Sequence, residues 1–310
     1  MSDISNPIYH DEAKAVAHLE ASRWPNGPVC PYCNSRNVHR MGGKTQAGMF
    51  LCNGCRDKFS ARVGSVMERS HIPVHKWLLA IHLMSASKKG VSSKQLERML
   101  GISYKSAWFL SMRIREAMSP ASVKDAGPVG GAGKTVEADE SFIGGKKKNV
   151  HNGKPTPKKH PVLALVERGG KARAKHIADV TAKSVRDVLV THASRKSTLN
   201  TDEAMVYHWL GREFAKHGAV NHSASEYVSK DGATHTQTVE SFFAILKRGI
   251  MGSFHSVSEQ HLQRYVDEFC FRWNHRSSLG VEDFERAAAI LEGANGKRLT
   301  YRRADEAPNA

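Results

Sequence analysis

Two cysteine pairs, CPYC (Cys30, Cys33) and CNGC (Cys52, Cys55), constrain the folding of this chain more tightly than anything else in it. Eighteen residues separate them, inside the spacing window of a four-cysteine metal site. Each CxxC turn offers two thiolates to one ion, and two turns complete a tetrahedron suited to Zn2+. Four thiolates leave no open coordination position, so the ion is expected to be structural. NVHRMGGKTQAGMFL, between the pairs, reads as two short strands around a Gly-containing turn, and KFSARVG continues after them. A short helix in DEAKAVAHLEAS leads in, giving a zinc ribbon behind an N-terminal helix over 1–66. Cys270, in YVDEFCFRWN, lies on an apolar helical face and reads as core packing.

From PVHKWLLAIHLMSAS the period becomes helical, with Trp77, Leu78, Ile81 and Met84 on one stripe. GVSSKQLERMLGISYKSAWFLSMRIREAM then spells two helices, one capped by Ser92 or Ser93 and the other by Ser103, joined through GIS. Two helices across a short Gly-containing turn make a helix-turn-helix, placed at 67–120. Lys105, Arg113 and Arg115 on its second helix are candidates for phosphate or base contacts. SPASVKDAGPVGGAGKT is rich in Gly, Pro, Ala and Ser, and is read as a linker over 121–133.

Charge points to the partner. The chain carries a formal net charge of +16, distributed as +9 over 1–120, +8 over 121–230 and −1 over 231–310. Clustered Lys and Arg gain affinity for a polyanion by releasing its counterions, so nucleic acid is the expected partner. No apolar run approaches a membrane span, and the opening residues are too polar for a secretory signal, so a cytoplasmic, nucleoid-associated protein is expected.

Against this basic background, TVEADESFIGG sets Glu137, Asp139 and Glu140 inside a strand-like stretch. Carboxylates are depleted from strands and costly to bury unpaired. Strands are expected at about 134–143, 160–167, 172–180, 197–201 and 218–222, with helices at about 182–193, 204–217 and 236–250. That order describes a mixed α/β, ribonuclease H-like domain over 134–290, followed by a tail over 291–310. In such a sheet Asp139 on the first strand, Asp202 at the end of the fourth and Glu240 near the start of a late helix can converge as hard oxygen ligands for Mg2+ or Mn2+. Alternation puts Glu137 on the same face as Asp139, and Glu140 and Glu203 are also adjacent to the candidates, so the pattern does not choose among them. Lys247 lies two turns beyond Glu240, where an ammonium could meet a DNA phosphate. The loop GGKKKNVHNGKPTPKKHP adds Lys146, Lys147, Lys148, Lys154, Lys158 and Lys159 directly after the strand of Asp139. His235, His255, Arg272, Asn274 and Arg276 are further candidates for lining the same groove.

The ordered set CPYC…CNGC, FSARVGSVMERSHIPVHKWLLAIHLM, VEADESFIGGKKK, NTDEAMVY, HTQTVESFFAILKRGIMGSFHSVS and LQRYVDEFCFRWNHR, covering about residues 15 to 285, resembles bacterial insertion-sequence transposases of the DDE class. The group in question carries an N-terminal zinc ribbon before a ribonuclease H-like catalytic domain. The resemblance implies catalytic acids at Asp139, Asp202 and Glu240, with Lys247 as an accompanying basic contact. Many members place an Asn where Gln237 stands here, which keeps Gln237 in reserve as third ligand. It implies two divalent ions and metal-dependent cleavage and strand transfer on double-stranded DNA, namely terminal inverted repeats and target. A homo-oligomer on DNA follows from the need to join two ends. The competing readings are a DNA-binding regulator with an inert catalytic domain and a ribonuclease H-like nuclease that cuts without joining.

Overall fold

The computed structural model describes residues 4–43, 47–120, 127–144, 158–230 and 232–300. In chain order these form α1 (Glu12–Arg23), β1 (Val38–Arg40), β2 (Met49–Cys52), β3 (Lys58–Ser60), α2 (Val74–Ala86), α3 (Ser93–Leu100), α4 (Tyr104–Met118), β4 (Thr135–Gly144), β5 (Lys159–Glu167) and β6 (Ala172–His176). There follow α5 (Ala182–His192), β7 (Thr198–Asp202), α6 (Met205–Leu210), β8 (Lys216–Val220), α7 (Gln237–Gly249), α8 (Glu259–Asn274) and α9 (Asp283–Gly293). The chain divides into two compact units, one made of 1–86, 93–118 and 283–310, the other of 87–92 and 119–282.

In the first unit, Asp11 caps α1 by accepting from the Lys14 amide at 3.1 Å. Strands β1, β2 and β3 form an antiparallel sheet in that order. Its alternate residues Phe50 and Cys52 turn inward against Phe59 and Cys30. Trp24 meets Phe50 and Phe59 edge-on, with centroids 5.6 and 5.8 Å away, the offset geometry ring quadrupoles favour. Helix α2 buries the expected stripe of Trp77, Leu78, Ile81 and Met84. Ser103 caps α4 through the Ser106 amide. Ser93 instead pairs its hydroxyl with Ser111 across the α3–α4 contact. The expected 134–290 catalytic boundary runs through α9, which packs within the first unit against α1, α2 and α4.

The second unit is built on a five-stranded sheet ordered β6-β5-β4-β7-β8. Strand β5 runs antiparallel to both of its neighbours, β6 and β4, while β7 runs parallel to β4 and β8 to β7. This mixed sheet with helices on both faces is ribonuclease H-like. The even-numbered residues Val136 and Ala138 of β4 pack with Val185, Leu189 and Tyr207 from α5 and α6. The opposite face, through Ile143, Val162 and Ala164, packs on Val239, Phe242 and Leu246 of α7 and on Leu262, Val266 and Phe269 of α8. Cys270 lies in this core, as expected. Gly249 ends α7 where a Cβ would fall 2.1 Å from Phe269, so a side chain there would force the two helices apart. Two elements are shorter than the pattern suggests. Strand β6 stops at His176, and the helix expected over 204–217 ends at Leu210, where Gly211–Glu213 tightens to a 3-10 turn and Phe214 turns extended.

Candidate active site and zinc centre

The cysteine cluster forms as its spacing demands. Cys30 Sγ lies 3.6 Å from Cys55 Sγ, and Cys33 Sγ lies 3.5 Å from Cys52 Sγ. All four sulfurs fall within 4.8 Å of one another. A tetrahedron with Zn–S bonds of about 2.3 Å has edges of about 3.8 Å, so the donor set fits a structural zinc. The backbone N–H of Cys55, with further help from that of Gly54, draws the Cys52 thiol down to about 6, toward the thiolate that binds metal.

Strand β4 sorts the three carboxylates that its sequence could not. Glu137 is fully buried and engaged on every side. It accepts from Arg168 Nε at 2.6 Å, from the backbone amides of Thr238 and Val239 at 2.7 and 3.1 Å, and from the Thr238 hydroxyl at 2.9 Å, and His235 Nδ1 stands 3.2 Å away. It therefore takes the place of an N-cap for α7, whose own Thr236 makes no side-chain cap. A carboxylate so completely satisfied anchors the helix. Sequence reasoning missed this role because the α7 amides it caps are about a hundred residues away.

Asp139 has the opposite environment. It shares the face of Glu137 but, among the described residues, no Lys, Arg or His lies within ion-pair distance. Its Oδ1 accepts only the Glu140 amide, at 2.8 Å. Burial, followed by the charges of Glu140, Asp202 and Glu240, pushes its carboxyl up to about 7. Asp202, at the end of β7, accepts the Ala204 amide at 3.1 Å, a turn-closing bond that leaves its second oxygen available. Glu240, half-exposed on α7, accepts from the Thr236 hydroxyl at 2.8 Å and has His222 Nε2 at 3.7 Å. Glu140 points to the other face and accepts from Tyr207 at 2.6 Å, and burial raises its carboxyl. The charges of Asp202 and Glu240 thus both reach Asp139. Gln237, at the first position of α7, is exposed.

Helix α7 runs alongside β4 in the same direction, since Thr238 meets Glu137 at one end while Lys247 and Ile250 join Phe142 and Ile143 at the other. Three residues of strand and seven of helix each span about 10 Å, so Lys247 sits about that far beyond the acids. There a cavity of about 380 Å³ is lined by Lys158, Lys159, His160, Lys247 and His255. Lys158, Lys159 and Lys247 give this cavity a cationic side, beside the apolar Phe142, Ile143, Ile250, Met251 and Val257.

The other candidates divide. Lys105 is exposed on α4. Arg113 and Arg115 are not available to DNA: Arg113 donates to the Val66 and Glu68 carbonyls and lies over the Phe109 ring, while Arg115 is 1% exposed and donates to Ser111. Helical spacing put them on the second helix of the pair, but the Arg113 guanidinium closes backbone acceptors from elsewhere in the first unit, and that of Arg115 turns back to the Ser111 hydroxyl of its own helix. Arg272 pairs with Glu268, Asn274 bonds both backbone groups of Ala172, and Arg276 donates to the Gly170 and Trp273 carbonyls. These three tie α8 and the residues after it to their own unit. Lys146, Lys147, Lys148 and Lys154 lie outside the described residues.

Comparison with known proteins agrees with this architecture. Residues 130–274 match the ISXO2-like transposase domain, and residues 10–58 match the transposase zinc-ribbon domain. A curated relative from Halobacterium salinarum, described as an uncharacterized protein in transposable element ISH50, is 27% identical over 299 residues, covering 91% of this chain and 97% of its own. Among the described residues no helix is long and apolar enough to cross a membrane. The chain thus carries a transposase zinc-ribbon domain followed, in the order its motifs give, by an ISXO2-like transposase domain.

Proposed function

We propose that this protein cuts DNA at the ends of an insertion sequence and joins the freed ends to target DNA, using Asp139, Asp202 and Glu240 as the acidic set. The observation that carries this reading is the unpaired, charge-crowded environment of Asp139. Three carboxylates from separate elements whose charges meet at Asp139 would make a site that a hard divalent ion stabilises. Mg2+ or Mn2+ bound there, as a pair, would activate the attacking oxygen and offset charge on the leaving one. The chain's own part is positioning. Glu137 fixes the start of α7, and with it Glu240, against the strand that carries Asp139. Lys158, Lys159 and Lys247 hold the DNA backbone in register through phosphate contacts, which orient the scissile bond without reading sequence. No side-chain nucleophile is needed, because water and then a 3′-hydroxyl attack phosphorus directly.

Recognition of the terminal repeats falls to the zinc ribbon and the α3–α4 pair, with Lys105 as a phosphate contact, and two chains on DNA hold the two ends together. The domain limits we assign follow the compact units: an N-terminal DNA-reading unit that includes α9, and a catalytic unit from Ser119 to Glu282. The test is cleavage and joining of an end-bearing duplex with Mg2+. Asp139→Ala, Asp202→Ala and Glu240→Ala are each expected to abolish both steps while leaving end binding in place. Cleavage without joining of pre-cut ends would make the protein a nuclease. Activity that survives Glu240→Ala but not Gln237→Ala would move the third ligand to Gln237.

A further inference from the structure

Apart from the cysteines, the described residues hold one further tight group of metal-ligating side chains, and it lies apart from the acids on the outer strands of the sheet. His160, His176 and Glu259 each bring a donor atom within 4.8 Å of the other two. His160 is the second residue of β5 and His176 the last of β6. His176 pairs with Val162, so the two imidazoles are diagonal neighbours on one face. Glu259 opens α8. Its Oε1 lies 3.4 Å from His160 Nδ1 and 4.0 Å from His176 Nε2. A tetrahedral zinc with bonds of about 2.0–2.1 Å has donor-to-donor edges of about 3.3 Å. The first separation already matches, and the second closes with a small side-chain rotation.

Two further observations point to an ion. Among the described residues His176 Nε2 is buried without a hydrogen-bond partner, although it faces a carboxylate too distant to accept from it. A buried ring nitrogen left unpaired has a reason to be there if it is a ligand. The framework is also held in place before any ion arrives: one turn after Glu259, Gln263 accepts from the His176 amide at 2.8 Å and donates to the Ala174 carbonyl at 3.2 Å. Gln263 donates in addition to Asp267 at 2.7 Å, which fixes its own orientation.

We propose that His160 Nδ1, His176 Nε2 and Glu259 bind a zinc ion that joins the β5–β6 edge to the start of α8. Two imidazoles and a carboxylate are a borderline-soft set that selects Zn2+ over Mg2+, in contrast to the all-oxygen set at Asp139. The half-exposed Glu259 leaves the fourth position to water. Glu259 also accepts the Lys158 ammonium at 3.1 and 3.3 Å. Zinc competes for that carboxylate, so binding releases Lys158, a residue of the cationic cavity.

The test is Zn2+ titration of the full chain in excess Mg2+, which keeps the hard-oxygen site filled. Two zinc equivalents per chain are expected, one of them held by the cysteines. His160→Ala and Glu259→Gln should each weaken the second equivalent by at least about tenfold while leaving the first intact, with an unchanged circular dichroism spectrum. Lys158→Ala should tighten it by removing the competitor. The proposal is overturned by a single equivalent in the wild type, by a second equivalent indifferent to both ligand substitutions, by one lost instead in Asp139→Asn, or by Lys158→Ala leaving affinity unchanged.

Discussion

Asp139→Asn separates what the acidic site does for chemistry from what it does to the fold. The substitution keeps shape and one hydrogen-bonding oxygen for the Glu140 amide but removes a charge that burial and three carboxylates oppose. Asp139 ordinarily titrates near 3.8 and is raised to about 7 here. Each tenfold change in acid dissociation is worth about 1.4 kcal/mol, so ionising it in the folded chain costs on the order of 4 kcal/mol at most. Solvent and relaxation of the neighbouring acids bring this to about 2 kcal/mol. The sign follows from proton linkage: between pH 3.8 and about 7 the folded chain binds a proton that the unfolded chain has lost, so stability falls as pH rises through that window. The gain from Asp139→Asn is therefore absent near pH 4 and complete above pH 7. Thermal unfolding with a chelator at pH 8 should show the variant more stable, by roughly 2–4 °C per kcal/mol for a unit of this size. Mg2+ should raise the wild-type midpoint and narrow the difference, because an ion binding only the folded state stabilises it by mass action. A variant no more stable than wild type at pH 8 without divalent ions, or a gain equally large at pH 4, would refute the reasoning.

Other expectations follow from single contacts. Glu137→Ala strands Arg168 and uncaps α7, and should cost about 3–5 kcal/mol in denaturant unfolding and lower cleavage with it. Cys52→Ser should release the ribbon zinc, measured as metal content, and open β1–β3 to proteolysis while the second unit stays protected. Arg113→Ala should lower the unfolding midpoint by about 1–3 kcal/mol of stability and leave the salt dependence of DNA binding unchanged, whereas Lys105→Ala should do the reverse, flattening the salt slope by about one. Tyr207→Phe removes the 2.6 Å bond to Glu140 and should cost about 1 kcal/mol in the same unfolding assay.

Local pattern carried the reading wherever the physics is local. The CxxC turns, the β4 carboxylates and the α2 stripe are set by spacing along a few residues, and they stand where the pattern puts them. What was not legible depends on partners distant in the chain. Glu137 and Asp139 share a strand face, and only the arrival of the α7 amides makes one a fastener and leaves the other bare. Arg113 and Arg115 look like surface cations on a recognition helix until the Val66 and Glu68 carbonyls and Ser111 claim them. Helix α9 has no motif that announces which unit it joins. His160, His176 and Glu259 are spread over a hundred residues and meet only because β5 and β6 are paired and α8 starts beside them.

The bonds from Glu137 to the first amides of α7 carry a consequence for how such a protein loses activity. One side chain couples the placement of the start of α7, and so of Glu240, to the integrity of the central strand. On the function proposed above, a copy of the element that drifts at this codon would be silenced without any change to its reacting groups, and its chain would still occupy the ends that active copies need.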